Sequence, residues 1–249
     1  MVMKNSILSL IFILILCVVA SAQKIGIKAG GNFTNVIGGD NSASSGSSDK
    51  HLYVSGFHAG GFGEFDVAEI VSLQVEAVYS TKGFKQKYST SSLLVNTTEE
   101  VKYTYSYIDI PLIINIHFGQ MGSYIGIGPQ VSFLAGAQWN GTQTNTYTNT
   151  APPPLTNTSS SFTVSGKDKT GYSKTDFGAI IGTGSKWDSG IEYCIRAGYG
   201  ITNIIDPSAS LSNAVWHNLV FSVSIGYGFG TGGGGGGDRY GHKYNKKRR

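Results

Sequence analysis

The chain is poor in charge, proline and cysteine, and past its first residues it has no long apolar run. Asp, Glu, Lys and Arg make up 14% of its 249 residues, against a usual ~25%. So little charge, beside 40% hydrophobic and 12% aromatic residues, excludes a disordered chain. Six prolines without a G-X-Y period exclude collagen. After residue 22 no apolar stretch approaches the ~18–20 residues of a spanning helix. The net charge of +4 is also misleading as a whole-chain value. Six of the basic groups lie in residues 230–249, so the body is slightly acidic and gives no case for nucleic-acid binding. What is abundant is glycine, 35 residues, with 14 Tyr and 12 Phe. That balance suits a β protein that does not meet water over its whole surface.

Residues 1–22 read as a secretory signal peptide. Lys4 supplies the positive start, Ile7 to Val19 is apolar apart from Ser9, and Ala20-Ser21-Ala22 ends on small residues that a signal peptidase reads. The run is too short for a spanning anchor, and Ile15-Leu16 before Cys17 do not fit a lipoprotein site. Cleavage after Ala22 leaves Cys194 as the one cysteine, so no internal disulfide is available. A hydrogen-bonded sheet closed on itself in a bilayer is another source of stability.

Eight segments alternate apolar and polar residues with a period of two, the signature of strands. They are Lys24–Phe33, Tyr53–Phe65, Val71–Lys82, Tyr103–Phe118, Ser123–Ala135, Thr175–Ser185, Ile191–Gly200 and Asn218–Phe229. Val71–Lys82 is the clearest, with Val71, Leu73, Val75, Ala77 and Tyr79 against Ser72, Gln74, Glu76 and Ser80. The tight turns Asp66–Ile70, Gly119–Gly122 and Lys186–Gly190 alternate with long polar connections at Asn35–Leu52, Gly83–Val101, Gly136–Lys174 and Ile201–His217. Strands of this length, with short turns at one end and long loops at the other, predict an all-β fold: an eight-stranded antiparallel transmembrane up-and-down β-barrel over residues 23–229. A soluble barrel also alternates, but its outer face would carry many Lys and Glu. Here the polar face holds mostly Gly, Ser and a few isolated charges, which suits a narrow interior. Phe65, Tyr79, Phe118, Phe133, Trp187, Tyr199, Tyr227 and Phe229 fall near strand ends, as interfacial girdles require. The longest loop, with Pro152-Pro153-Pro154, reads as low-complexity and mobile.

Several segments resemble the PorT-like outer-membrane β-barrel domain family of Bacteroidota. They are Lys24-Ile25-Gly26-Ile27-Lys28-Ala29-Gly30, Gly56-Phe57-His58-Ala59-Gly60, Leu73-Gln74-Val75-Glu76-Ala77-Val78-Tyr79-Ser80, Tyr107-Ile108-Asp109-Ile110-Pro111-Leu112 and Gly126-Ile127-Gly128-Pro129-Gln130. The resemblance implies an outer-membrane barrel of a Gram-negative bacterium, a role beside secretion or gliding machinery, and no transferable catalytic motif. Such barrels usually end on an aromatic residue, whereas here Phe229 is followed by 20 more residues.

Strand direction places His58, Glu76, Asp109, Gln130 and Arg196 at mid-height of the lumen, with Gln74, Glu64, His117 and Glu192 toward the periplasmic end. Buried carboxylates need a cation, and Arg196 with Glu76 or Asp109 is the natural pairing. A lumen plugged by these groups is expected, in preference to a proton or ion path. No metal-ligand spacing, nucleophile elbow or phosphate loop is present, so no catalytic, cofactor or metal residues are expected and the protein reads as non-enzymatic. The expected role is structural or interactive, accessory to secretion or envelope assembly. A small-solute pore and a surface adhesin or ligand binder using the long loops are the alternatives. Residues 230–249 read as a Gly-rich spacer carrying Arg239, Lys243, Lys246, Lys247, Arg248 and Arg249 into the periplasm, a solvated tail or an electrostatic contact to an acidic partner or lipid head groups. Expected partners are therefore outer-membrane lipid and a periplasmic or secretion-complex protein.

Overall fold

The computed structural model describes residues 22–39, 47–119, 122–148, 158–187, 189–206 and 215–230. The leader before Ala22, Pro152-Pro153-Pro154 and the basic tail after Gly230 lie outside the described residues.

Among the described residues ten strands form one antiparallel sheet: β1 (Lys24–Gly39), β2 (Ser47–Leu52), β3 (Val54–Ala68), β4 (Val71–Ser91), β5 (Val95–Phe118), β6 (Ser123–Tyr147), β7 (Ser159–Lys167), β8 (Thr175–Lys186), β9 (Ile191–Gly200) and β10 (Val215–Gly230). Eight of them close a ring in the order β1-β3-β4-β5-β6-β8-β9-β10, and β10 pairs with β1 from Lys24↔Gly230 to Gly39↔Val215. The eight expected segments sit in these eight strands, except that Tyr53 precedes β3. Closure leaves no open edge inside the bilayer, where an unpaired backbone group has no water to bond.

The ring's outward residues follow from the alternation. Ile27, Ile114, Ile116, Ile125, Ile127, Ile181, Ile195, Val223 and Ile225 are exposed on its outer face, in a band that only lipid would cover. On β5 this band runs from Ile108 to Phe118, about 26 Å at a ~3.4 Å rise and ~40° tilt, the height expected of an outer-membrane barrel. Aromatic residues bound it. Tyr227 packs edge-on to Phe229 and Trp187 lies against Tyr193 at the short-turn end. Phe33 stacks on Tyr53 and Phe57 lies against Tyr79 at the other. Gly119 (φ 73°) and Gly122 (φ 64°) supply the left-handed backbone of the β5–β6 turn.

Three of the connections expected as long polar loops are largely strand instead. β4 and β5 pair without a register break from Val71↔Ile116 to Ser91↔Asn96, far past the lipid band. β6 follows β5 to Tyr147, β7 adds to β6, and β2 adds to β4. A sheet ordered β2-β4-β5-β6-β7 therefore stands above the membrane on one wall of the barrel. The reason is local: Val95–Ser106 is rich in Thr, Val and Tyr, residue types that favour strand whether or not apolar neighbours surround them. Its polarity reports that the strand is in water, not that it has ended.

Candidate functional site

The side chains on the inner face of the ring belong to even-numbered residues on β1, β3 and β4 and odd-numbered residues on β5, and they fill the lumen in tiers. In the tier nearest the short turns, Glu64 accepts from Lys186 (2.6 Å) and from the Ser72 hydroxyl (2.6 Å), and Ser72 also bonds His117 Nε2 (2.8 Å). The Lys186 ammonium lies over the Tyr124 ring, 4.8 Å from its centroid. Glu192 is buried here too, 3.9 Å from Lys186.

Glu76 organises the middle tier. Arg196 reaches it with both terminal nitrogens (2.8 and 2.9 Å), Lys28 donates at 3.0 Å and Gln74 at 2.7 Å. Gln74 in turn accepts from Asn115 (2.8 Å) and Lys186 (3.5 Å), so the middle and lower tiers form one network. A carboxylate with four donors from three strands braces the barrel across its bore, and it is stable only because its charge is met on both sides. Arg196 has room to lie there because β8 carries glycine opposite it: a Cβ on Gly182 would fall 2.5 Å from Arg196 Cγ.

Above a cavity of about 70 Å³, room for a few water molecules, lies the third tier. Asp109 accepts from Lys82 (2.8 Å) and Ser80 (2.6 Å), and Lys82 also reaches Ser132 (3.2 Å), which accepts from Gln130 (3.0 Å). His58 sits between Asn32 Oδ1 and the Ser224 hydroxyl, each at 2.8 Å. Asn32 spends its amide nitrogen on the Phe57 and Thr81 carbonyls, so its oxygen faces the ring and His58 Nδ1 is the donor. Asn218 donates to Asp176 at 2.8 Å.

Aromatic residues close the extracellular mouth. Phe84, fully buried, packs edge-on to Trp216 (4.9 Å) and stacks on Tyr103 (5.0 Å), while Tyr105 meets Tyr172 edge-on (5.0 Å). Ile204, from the β9–β10 connection, is tucked into this cluster. Its N–H donates to the Trp216 carbonyl and its carbonyl accepts from the Ser173 N–H, each at 2.9 Å.

All six expected lumen residues, His58, Glu76, Asp109, Gln130, Arg196 and Glu192, line the interior. Of the two pairings open to Arg196, the structure takes Glu76; Asp109 belongs to Lys82. The charges are not isolated, as the sequence reading had them, but clustered, because three cations escaped it. Lys28 and Lys82 share the inward parity of Gly26 and Ser80 on their strands, so the alternation already marked them. Lys186, placed in a tight turn, is the last residue of β8 and turns its ammonium inward. The expected tail contacts, Arg239, Lys243, Lys246, Lys247, Arg248 and Arg249, lie outside the described residues. As chemistry, the arrangement holds charges against one another and crosses the bore with hydrogen bonds.

The model of the outer membrane protein beta-barrel domain family matches residues 21–206. The chain belongs to that family. Its membership places it in the outer membrane, in contact with lipid. The match stops short of β10, the strand that closes the ring. None of the curated proteins compared with this family member matches it in sequence. Among solved structures it is similar to Ail, the attachment invasion locus protein of Yersinia pestis, at 10% identity over 84% of this chain and 99% of that one, TM-score 0.35. It is also similar to Neisserial surface protein A, at 9% identity over 82% and 97% with TM-score 0.36. OprG from Pseudomonas aeruginosa aligns at 13% identity over 84% and 97%, TM-score 0.33.

Proposed function

We propose that the protein is a non-enzymatic anchor: a sealed outer-membrane barrel that holds an extracellular sheet for interaction, accessory to secretion or envelope assembly. The observation that carries this reading is the division of the chain into a bore crossed by ion pairs from Glu64 to Asp109 and a sheet that continues past the lipid band. A bore of this kind serves rigidity, since Glu64, Glu76 and Asp109 are each tied by an ion pair to another strand. The sheet is what remains free to meet another molecule. The reading includes export through cleavage after Ala22, a Gram-negative host and kinship with the PorT-like barrels, on the motifs quoted above.

In-cell crosslinking with mass spectrometry tests it. Three chains are compared: the full chain, one ending after Phe229, and one whose β4–β5 hairpin is shortened by removing residues 88–99. Crosslinks to a defined protein partner that vanish with the shortened hairpin support the sheet as the contact. Loss only on removing the tail moves the contact to the periplasmic side. An unchanged set of abundant membrane neighbours in all three overturns the proposal.

A further inference from the structure

The outward face of the extracellular sheet carries lysines where electrostatics disfavours them. Residues directly opposite on antiparallel strands share a face with Cβ atoms ~4.5–5.5 Å apart, and like charges there are destabilising. Lys85 on β4 is directly opposite Lys102 on β5, and Lys87 on β4 is directly opposite Lys50 on β2. Lys167 on β7 falls on the same face, opposite Gln138. Lys50, Lys87, Lys102 and Lys167 are exposed. Among the described residues of these rows the acidic side chain is Glu100; it is directly opposite Lys87 and pairs with Lys85, so one carboxylate lies among four lysines, Lys50, Lys85, Lys87 and Lys102. Around the lysines the face also carries the exposed Leu52, opposite Lys85, and Asn140, Thr142, Thr163 and Ser165, hydrogen-bonding groups without charge.

This face looks out over the membrane. The β4–β5 register is unbroken from the lipid band upward, so Lys85 and Lys87 share the side of Tyr79, and Lys102 shares that of Ile108. Six residues separate Tyr79 from Lys85, which at a ~3.4 Å rise and ~40° tilt puts the lysine rows about 15 Å above the aromatic ring. Phospholipid head groups end ~5–8 Å beyond the hydrocarbon, below that height. Phosphate carried on a larger, sugar-bearing head group reaches it.

We propose that Lys50, Lys87 and Lys102, with Lys85 and Lys167 beside them, form a docking surface for the phosphate-bearing head group of an outer-leaflet glycolipid. The lysines bind the phosphate, and the Asn and Thr side chains of β6 and β7 face the sugar hydroxyls. The like-charge pairs are tolerated because the bound anion neutralises them. The inference rests on the sheet lying on the outer-leaflet side, not on the identity of any protein partner.

The test titrates lipids into the full-length folded protein in neutral detergent, read by native mass spectrometry. The probes are a rough lipopolysaccharide phosphorylated on its core sugars, the same glycolipid dephosphorylated, and phosphatidylglycerol. The variant carries Lys50→Gln, Lys87→Gln and Lys102→Gln together, leaving the Lys85–Glu100 pair intact. A lysine near an anionic surface is worth about five-fold in affinity, so the parent should prefer the phosphorylated glycolipid and the variant should lose about 100-fold of that preference. Because the variant removes repulsion, it should unfold no earlier than the parent in neutral detergent, which separates lost binding from lost folding. Equal binding of phosphorylated and dephosphorylated lipid overturns the proposal. So do equal binding of phosphatidylglycerol, full displacement by millimolar inorganic phosphate, and a variant that binds as the parent does.

Discussion

Replacing Glu76 by Gln takes one negative charge from between two buried cations and changes almost nothing in shape. Arg196 now makes two bonds to that carboxylate and Lys28 a third. In Glu76→Gln the amide oxygen can serve one of these donors, and the amide N–H₂ is turned on the other. Two positive charges are then held in the bore with no counterion on that strand. Breaking a buried pair by removing one partner costs ~3–5 kcal/mol. At a urea slope of about 2 kcal/mol per M, the unfolding midpoint in lipid vesicles should fall by about 2 M. Arg196→Met should cost less, because Glu76 keeps Lys28 and Gln74. Glu100→Gln, at the exposed pair with Lys85, should cost below about 1 kcal/mol. A Glu76→Gln midpoint within about 0.5 M of the parent, or level with Glu100→Gln, would refute the idea that the middle tier braces the barrel.

Other outcomes follow from the same contacts. Cys194 is 1% exposed, facing Lys28 across the bore, so its thiol should resist maleimide in the folded protein and react on unfolding; labelling at equal rates in both states would contradict a filled lumen. Gly182→Val should block barrel folding by driving a side chain into Arg196, while Ala135→Val, on the exposed extracellular side of β6 at the β5–β6 bulge, should be tolerated. Lys85 holds the Glu100 carboxyl below its ordinary range. The small stabilisation this confers is present above pH ~4.5 and lost as pH falls through the lowered value, and Lys85→Met should return the Glu100 titration upward by NMR; an unmoved midpoint would mean the pair does not persist in solution.

How much of this was legible in the sequence depended on which solvent each segment meets. Ile108–Phe118 and Val71–Tyr79 announce themselves because lipid on one side and a polar bore on the other enforce a strict alternation. Val95–Ser106 and Gln138–Tyr147 are equally regular strands, but water lies on at least one face, so Glu99, Lys102, Asn140 and Thr144 mimic the composition of loops. The inward carboxylates were visible by parity, and the need for cations followed from burial. Which cation met which carboxylate was not, because it depends on the stagger of strands around the ring. That stagger brings Lys28 of β1 to Glu76 of β4, two strands away, and Lys82 to Asp109 of β5, four residues past its register partner Tyr105. The aromatic mouth was hidden for a similar reason: Ile204 sits in a connection of unremarkable composition, and only the closed ring shows that it meets Phe84 and Tyr105.

Planar-bilayer recording of the folded full chain tests the central claim most directly, that the bore is closed by side chains from the Glu64 tier to the aromatic mouth. The account predicts insertion without conductance steps, in the parent and in a variant with Ile204→Ser alike, because the ion-paired tiers remain below the mouth. Reproducible, long-lived open-channel steps in the parent would contradict it.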